Sequence, residues 1–159
     1  MQQPQIEEKK TVRKRRLSVV KVQMLKEKTF PYNTNKITDP TSAVRLLEEF
    51  IGKEDREHFV LICLDTKNKV TALNTVSIGS LNSAIVSPRE IFKTAILANS
   101  ASIIVGHNHP SGCPIASRED ISVTERIKDA GKLLGIELLD HVIVGDDGKY
   151  FSMKEKGYI

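Results

Sequence analysis

Ile103-Ile104-Val105-Gly106-His107-Asn108-His109-Pro110-Ser111-Gly112-Cys113-Pro114-Ile115-Ala116-Ser117-Arg118-Glu119-Asp120 is the stretch on which the reading of this 159-residue chain turns. Ile103, Ile104 and Val105 form an apolar run of the kind that makes a buried strand. Side chains at i and i+2 of a strand share a side, so His107 and His109 can present two imidazoles together. The Pro- and Gly-rich loop that follows cannot continue the strand, and it turns the chain so that Asp120 can come back to the same point. Two neutral imidazoles and a carboxylate with one position left open make a catalytic zinc ligand set. Plainer readings exist for the same letters. Ser117-x-x-Asp120 matches a capping box at a helix start, which needs no metal but is compatible with one. Two close histidines can also be satisfied core or surface groups.

Working outward, the chain has the length of one domain with one core. Its 40% hydrophobic and 28% charged residues are ordinary for a globular protein, which argues against wholesale disorder. No apolar run approaches bilayer length, and the polar N terminus reads as carrying no signal peptide, so no membrane role is expected. Cys63 lies in an apolar run and Cys113 in the motif loop. Their spacing suggests neither a zinc finger nor a disulfide framework, and a reducing, cytoplasmic setting is expected. Charge is uneven. Residues 1–30 hold nine Lys or Arg against three acids, a net of +6, while the remainder holds fifteen against seventeen. The excess sits in an N-terminal arm, residues 1–16, through Lys9, Lys10, Arg13, Lys14, Arg15 and Arg16. The arm is expected to be disordered, and it is either a site of nonspecific nucleic-acid contact or a solvated tail.

Residues 17–36 follow as an edge strand over Leu17–Met24 and a polar connector. Asp39 then caps a helix with Pro40 at its first position, Val44, Leu47 and Ile51 on its buried face and Gly52 at its end. Phe59–Leu64 is predicted as a strand that pairs with Val70–Ile78 through the turn at Lys67-Asn68-Lys69. Ser87, Pro88 and Glu90 signal a second helix with Ile91, Ala95 and Ala98 inward. After the histidine strand comes a helix from Arg118 to about Leu134, a strand over Glu137–Val144 and a short one over Lys149–Met153. Strands and helices alternating around one mixed sheet define an α/β fold.

His-x-His, seven residues, Ser, two residues, Asp is the pattern of the JAMM zinc metalloproteases, met here by His107, His109, Ser117 and Asp120. HNHPSG followed by SREDI resembles the RadC branch of that superfamily. EHFVLICLD near Glu57, SLNSAIVSPREIF after Ser80, LDHVIVGD near Asp140 and the tail GKYFSMKEKG resemble the same branch. The likeness runs from Ile37 to Ile159, and those residues are read as a RadC-like JAMM (MPN) domain. One departure is Ala116, where the family usually has Pro.

The resemblance implies a curved mixed sheet with helices against it, similar to the cytidine deaminase architecture. Deamination itself needs H-x-E and P-C-x-x-C, and the chain has neither. The implied activity is hydrolysis of peptide or isopeptide bonds with one zinc ion, held by His107, His109 and Asp120. Zinc brings the pKa of a bound water to about 7, and a carboxylate must then move the proton to the leaving amine. The family places that carboxylate at the head of an earlier strand, which points to Glu57; Glu54 is next, ahead of Asp55 and His58. Ser117 has two readings, a helix N-cap and, by resemblance, a support for the oxyanion. His141 is either a partner to a metal ligand or a buried core histidine. Asn82 and Ser83 lie, on resemblance, along a substrate groove. Cys113 is an oxidisable thiol near the metal or an ordinary free cysteine. Full-length relatives often carry a helical DNA-binding-like domain first, and the roughly 36 residues that precede the JAMM domain here are too few for one. The alternative function is a DNA-associated or partner-binding module whose metal site is structural or vestigial.

Overall fold

Asp39 and Pro40 begin the first helix, α1 (Pro40–Ile51), with a complete capping box. The Asp39 carboxylate accepts the Ser42 N–H at 2.8 Å, and Ser42 Oγ accepts the Asp39 N–H at 3.2 Å. The computed structural model describes residues 15–33, 36–79 and 86–159. Arm residues 1–14 and the expected groove residues Asn82 and Ser83 lie outside the described residues. After α1 come β1 (His58–Leu64), β2 (Val70–Ile78), α2 (Pro88–Leu97), β3 (Ser102–Asn108), α3 (Arg118–Leu134), β4 (Glu137–Val144) and β5 (Tyr150–Ser152).

The five strands form one mixed sheet in the order β2-β1-β3-β4-β5. β1 is antiparallel to both β2 and β3, β3 runs parallel to β4 through the α3 crossover, and β5 returns antiparallel to β4. Strand alternation sorts the apolar side chains onto two faces. Phe59, Leu61, Cys63, Ile103 and Val105 pack with Ile91, Phe92 and Ala95 of α2 and Val123 and Ile127 of α3. Val60, Ile62, Leu64, Ile104, Val142 and Val144 pack with Val44, Leu47 and Ile51 of α1. Because both faces are covered, β1 and β3 are apolar along nearly their whole length, which is the expected pattern for strands buried on both sides. Gly106 allows α1 to sit this close. A Cβ there would overlap the Leu47 methyls and stand 3.0 Å from the Val142 carbonyl oxygen.

The α/β fold with a mixed sheet flanked by helices matches the expectation from sequence. One local expectation fails. No strand forms over Leu17–Met24: residues 15–33 have no regular secondary structure, and Leu17, Val19, Val20 and Val22 are exposed. The stretch joins neither edge strand of the sheet, β2 or β5; the one bridge outside the named strands in the described residues joins Lys36 to Lys69. Gly52 ends α1 as expected, in right-handed conformation (φ −63), while Gly135, at φ +70, ends α3 in the left-handed region. Among the described residues no helix is long and apolar enough to cross a membrane.

Candidate metal centre

Four side chains converge at the end of β3. His107 is the last inward residue of that strand and is fully buried. His109 follows the strand, its N–H still tied to the Val144 carbonyl at 2.9 Å. Asp120 stands in the first turn of α3, and Glu57 immediately precedes β1. Their ligand atoms all lie within 4.8 Å of one another. His107 Nε2 is 3.0 Å from His109 Nε2, 3.2 Å from Asp120 Oδ1 and 3.6 Å from Glu57 Oε1, and His109 Nε2 is 3.9 Å from Asp120 Oδ2. Glu54 is not in this cluster: its carboxylate lies 3.7 Å from His58 Nε2.

Helix capping delivers the aspartate. Ser117 is the N-cap of α3; its Oγ accepts the Asp120 N–H at 3.1 Å, while its N–H and hydroxyl donate to Asp120 Oδ2 at 2.6 and 2.7 Å. The capping box and a metal-facing aspartate are therefore one arrangement: the box holds Oδ2 and leaves Oδ1 directed at His107. Burial pushes the Asp120 carboxyl up, but the His107 ring and the Ser117 hydrogen bonds outweigh it and hold the group well below the usual carboxylate range.

The proton positions follow from groups that can only accept. The Thr124 hydroxyl donates to the Asp120 carbonyl at 2.6 Å, so it must accept from His141 Nδ1, also at 2.6 Å. Burial, then the neighbouring His107, hold His141 well below the ordinary imidazole value, so the ring is neutral and its Nε2 is bare. That nitrogen takes the proton of His107 Nδ1 at 2.9 Å. With its proton held on Nδ1, a neutral His107 would offer Nε2 as the free ring nitrogen. His109 Nδ1 donates to the Cys113 carbonyl at 2.7 Å, which leaves Nε2 as the nitrogen that a neutral ring would offer to a metal. The two Nε2 atoms stand 3.0 Å apart, and each ring's Nδ1 is engaged with a partner elsewhere. His141 is thus both buried and the partner of His107.

This donor set fits a cation. Asp120 Oδ1 and Glu57 Oε1 are buried with no hydrogen-bond partner, a costly state for carboxylate oxygens unless a positive centre stands between them. Nitrogen and oxygen ligands at about 2.0–2.1 Å from a tetrahedral ion stand roughly 3.3 Å apart, close to the spacings found here. Phe59 closes one wall, its ring stacked on His107 at 5.8 Å and edge-on to His141 at 5.4 Å. The motif loop is braced from behind: the Asp146 N–H donates to the Gly112 carbonyl at 3.0 Å, and Gly112 itself turns at φ +78 with its α-carbon against the Asp146 carboxylate.

Sequence reasoning did not single out Thr124, Asn108 or the Gly145-Asp146 brace. Thr124 and Asn108 are both buried. A polar residue on a helix's buried face, seventeen positions before a strand histidine, was the only signal for Thr124. Cys113 contributes its carbonyl; its thiol is free and the residue is exposed.

A mixed sheet that gathers two histidines, a capped aspartate and a strand-head glutamate defines an α/β domain built around a candidate metal centre. Residues 37–158 match the RadC-like JAB domain, and the chain belongs to that family. It is 53% identical over 122 residues to a UPF0758 protein of Caldanaerobacter subterraneus subsp. tengcongensis, covering 77% of this chain and 52% of that one. It is 49% identical over 124 residues to a UPF0758 protein of Methanosarcina barkeri (78% and 54%) and 54% identical over 122 residues to one of Shouchella clausii (77% and 53%). The chain spans about half the length of these relatives.

Proposed function

We propose that this chain is a zinc-dependent metallopeptidase that hydrolyses peptide or isopeptide bonds. The observation that carries the reading is the meeting of two imidazole Nε2 atoms, 3.0 Å apart, with two buried, unpartnered carboxylate oxygens. His107, His109 and Asp120 would hold the ion. Zinc, when bound, supplies Lewis acidity and brings the pKa of water to about 7. Glu57 does not need to ligate. From the head of β1 its carboxylate takes a proton from water and delivers it to the departing nitrogen, which leaves poorly as an anion. Ser117 supports the oxyanion by turning its hydroxyl away from Asp120. Two free cysteines fit a cytoplasmic setting.

The test is metal analysis of the purified chain followed by a panel of peptide and isopeptide-linked amines, with Glu57→Gln beside the parent. About one zinc per chain and turnover that falls roughly 10²–10⁴-fold in Glu57→Gln, with zinc content unchanged, is the expected result. A zinc-free chain, or a Glu57→Gln variant that cleaves like the parent, overturns it. The reading as a DNA-associated module rests on the basic excess of the N-terminal arm.

A further inference from the structure

We infer that Asn108, the residue between the two motif histidines, is a positioning residue for Glu57: its carboxamide clamps the backbone on both sides of the glutamate. The inference rests on the proposed role of Glu57. Alternation along β3 sends His107 toward α3 and Asn108 to the opposite face, at the point where β1 begins. Phe59 opposite His107 is the last backbone pair between β1 and β3. Beyond it the Asn108 side chain takes over the ladder. Its Oδ1 accepts the His58 N–H at 2.8 Å, and its Nδ2 donates to the Arg56 carbonyl at 2.9 Å and the Glu54 carbonyl at 3.3 Å.

These partners fix the orientation of the amide. An N–H only donates and a carbonyl only accepts, so the carboxamide cannot be flipped. Asn108 is buried, and both of its N–H donors and its oxygen are engaged, over separations of 50 to 54 residues. The peptide groups flanking Glu57 are therefore both held by one side chain. Otherwise, among the described residues, the loop 53–57 makes two backbone hydrogen bonds: the Glu54 N–H to the Ile51 carbonyl at 3.1 Å, and the Glu57 carbonyl from the Gly79 N–H at 2.8 Å. Glu57 Oε1 itself has no hydrogen-bond partner. Its placement 3.6 Å from His107 Nε2 is consequently set by the backbone, which Asn108 holds from one side and the Gly79 N–H from the other. Aspartate at this position keeps the acceptor but puts a carboxylate against two carbonyl oxygens; alanine removes the clamp altogether.

The experiment uses the full zinc-loaded chain with Asn108→Ala and the near-isosteric Asn108→Asp. Hydrogen exchange, followed peptide by peptide, is expected to accelerate about tenfold or more over residues 53–58 while α3 and β4 keep their protection and zinc content holds. With a cleavable substrate, kcat falls toward that of Glu57→Gln with KM little changed, and Asn108→Ala adds nothing to Glu57→Gln in the double variant. Unchanged exchange over 53–58, or a double variant slowed by the full product of the two single effects, overturns the inference. If Asn108→Ala loses protection everywhere, Asn108→Asp decides: local acceleration supports the clamp, and none overturns it. If the parent cleaves nothing, the peptidase reading fails by itself. A crystal structure of Asn108→Asp then judges the clamp by whether the Glu57 carboxylate has left His107; a carboxylate still in place overturns the inference.

Discussion

Replacing Thr124 by Val isolates the contribution of the hydrogen-bond chain behind the candidate metal centre. Thr124 is fully buried, and Val has nearly its shape, so the change removes the hydroxyl without opening a cavity. His141 Nδ1 loses the acceptor it has at 2.6 Å. The neutral ring then escapes by moving its proton to Nε2, where it donates to His107 Nδ1. That shift places the His107 proton on Nε2, the nitrogen that faces Asp120 and His109. Zinc binding has to reverse the shift and leave a buried N–H unpaired in the loaded protein. An unsatisfied buried donor costs roughly 1–3 kcal/mol, and 1.4 kcal/mol is a factor of about ten, so the zinc Kd weakens roughly five- to a hundredfold. Competition against a chromophoric chelator at fixed pH measures it, with Thr124→Ser as the control that keeps the hydroxyl. The metal-free protein should lose less thermal stability than the loaded one. Thr124→Val holding zinc within about twofold of the parent would refute the tautomer argument, as would Thr124→Ser weakening it equally.

His109→Ala or Asp120→Ala should each strip the metal, which metal analysis after gel filtration reads directly; full zinc retention in both would remove the ligand assignment. Gly106→Ala drives a methyl into Leu47 and should cost about 1–3 kcal/mol, or roughly 2–12 °C in Tm by calorimetry, and an unchanged Tm would mean α1 can withdraw freely from the sheet. Deleting residues 1–16 should weaken duplex DNA binding and flatten its salt dependence, since the arm carries the positive excess. Identical binding of the truncated and full chains at every salt concentration makes the arm a solubilising tail.

The elements themselves were legible because their signals are local. Asp39-Pro40 and Ser117-x-x-Asp120 specify helix starts within four residues, and apolar runs as dense as Phe59–Leu64 and Ile103–Val105 have to be buried on both faces. The i, i+2 spacing of His107 and His109 and the first-turn place of Asp120 follow from the same short-range geometry, so the candidate ligands could be named from one stretch. The edge strand over Leu17–Met24 does not form, because alternation reports what a strand would present, not whether the segment docks on an edge of the sheet. The rest depended on which strands lie side by side. Only the order β1-β3-β4 brings the His58 N–H, in the peptide that follows Glu57, to Asn108 and His141 to His107, across separations of 50 and 34 residues. Register decides such contacts: a slip of one residue along β3 would turn His107 away from α3 and Asn108 into the cluster, and no pattern within either strand records which neighbour it will meet.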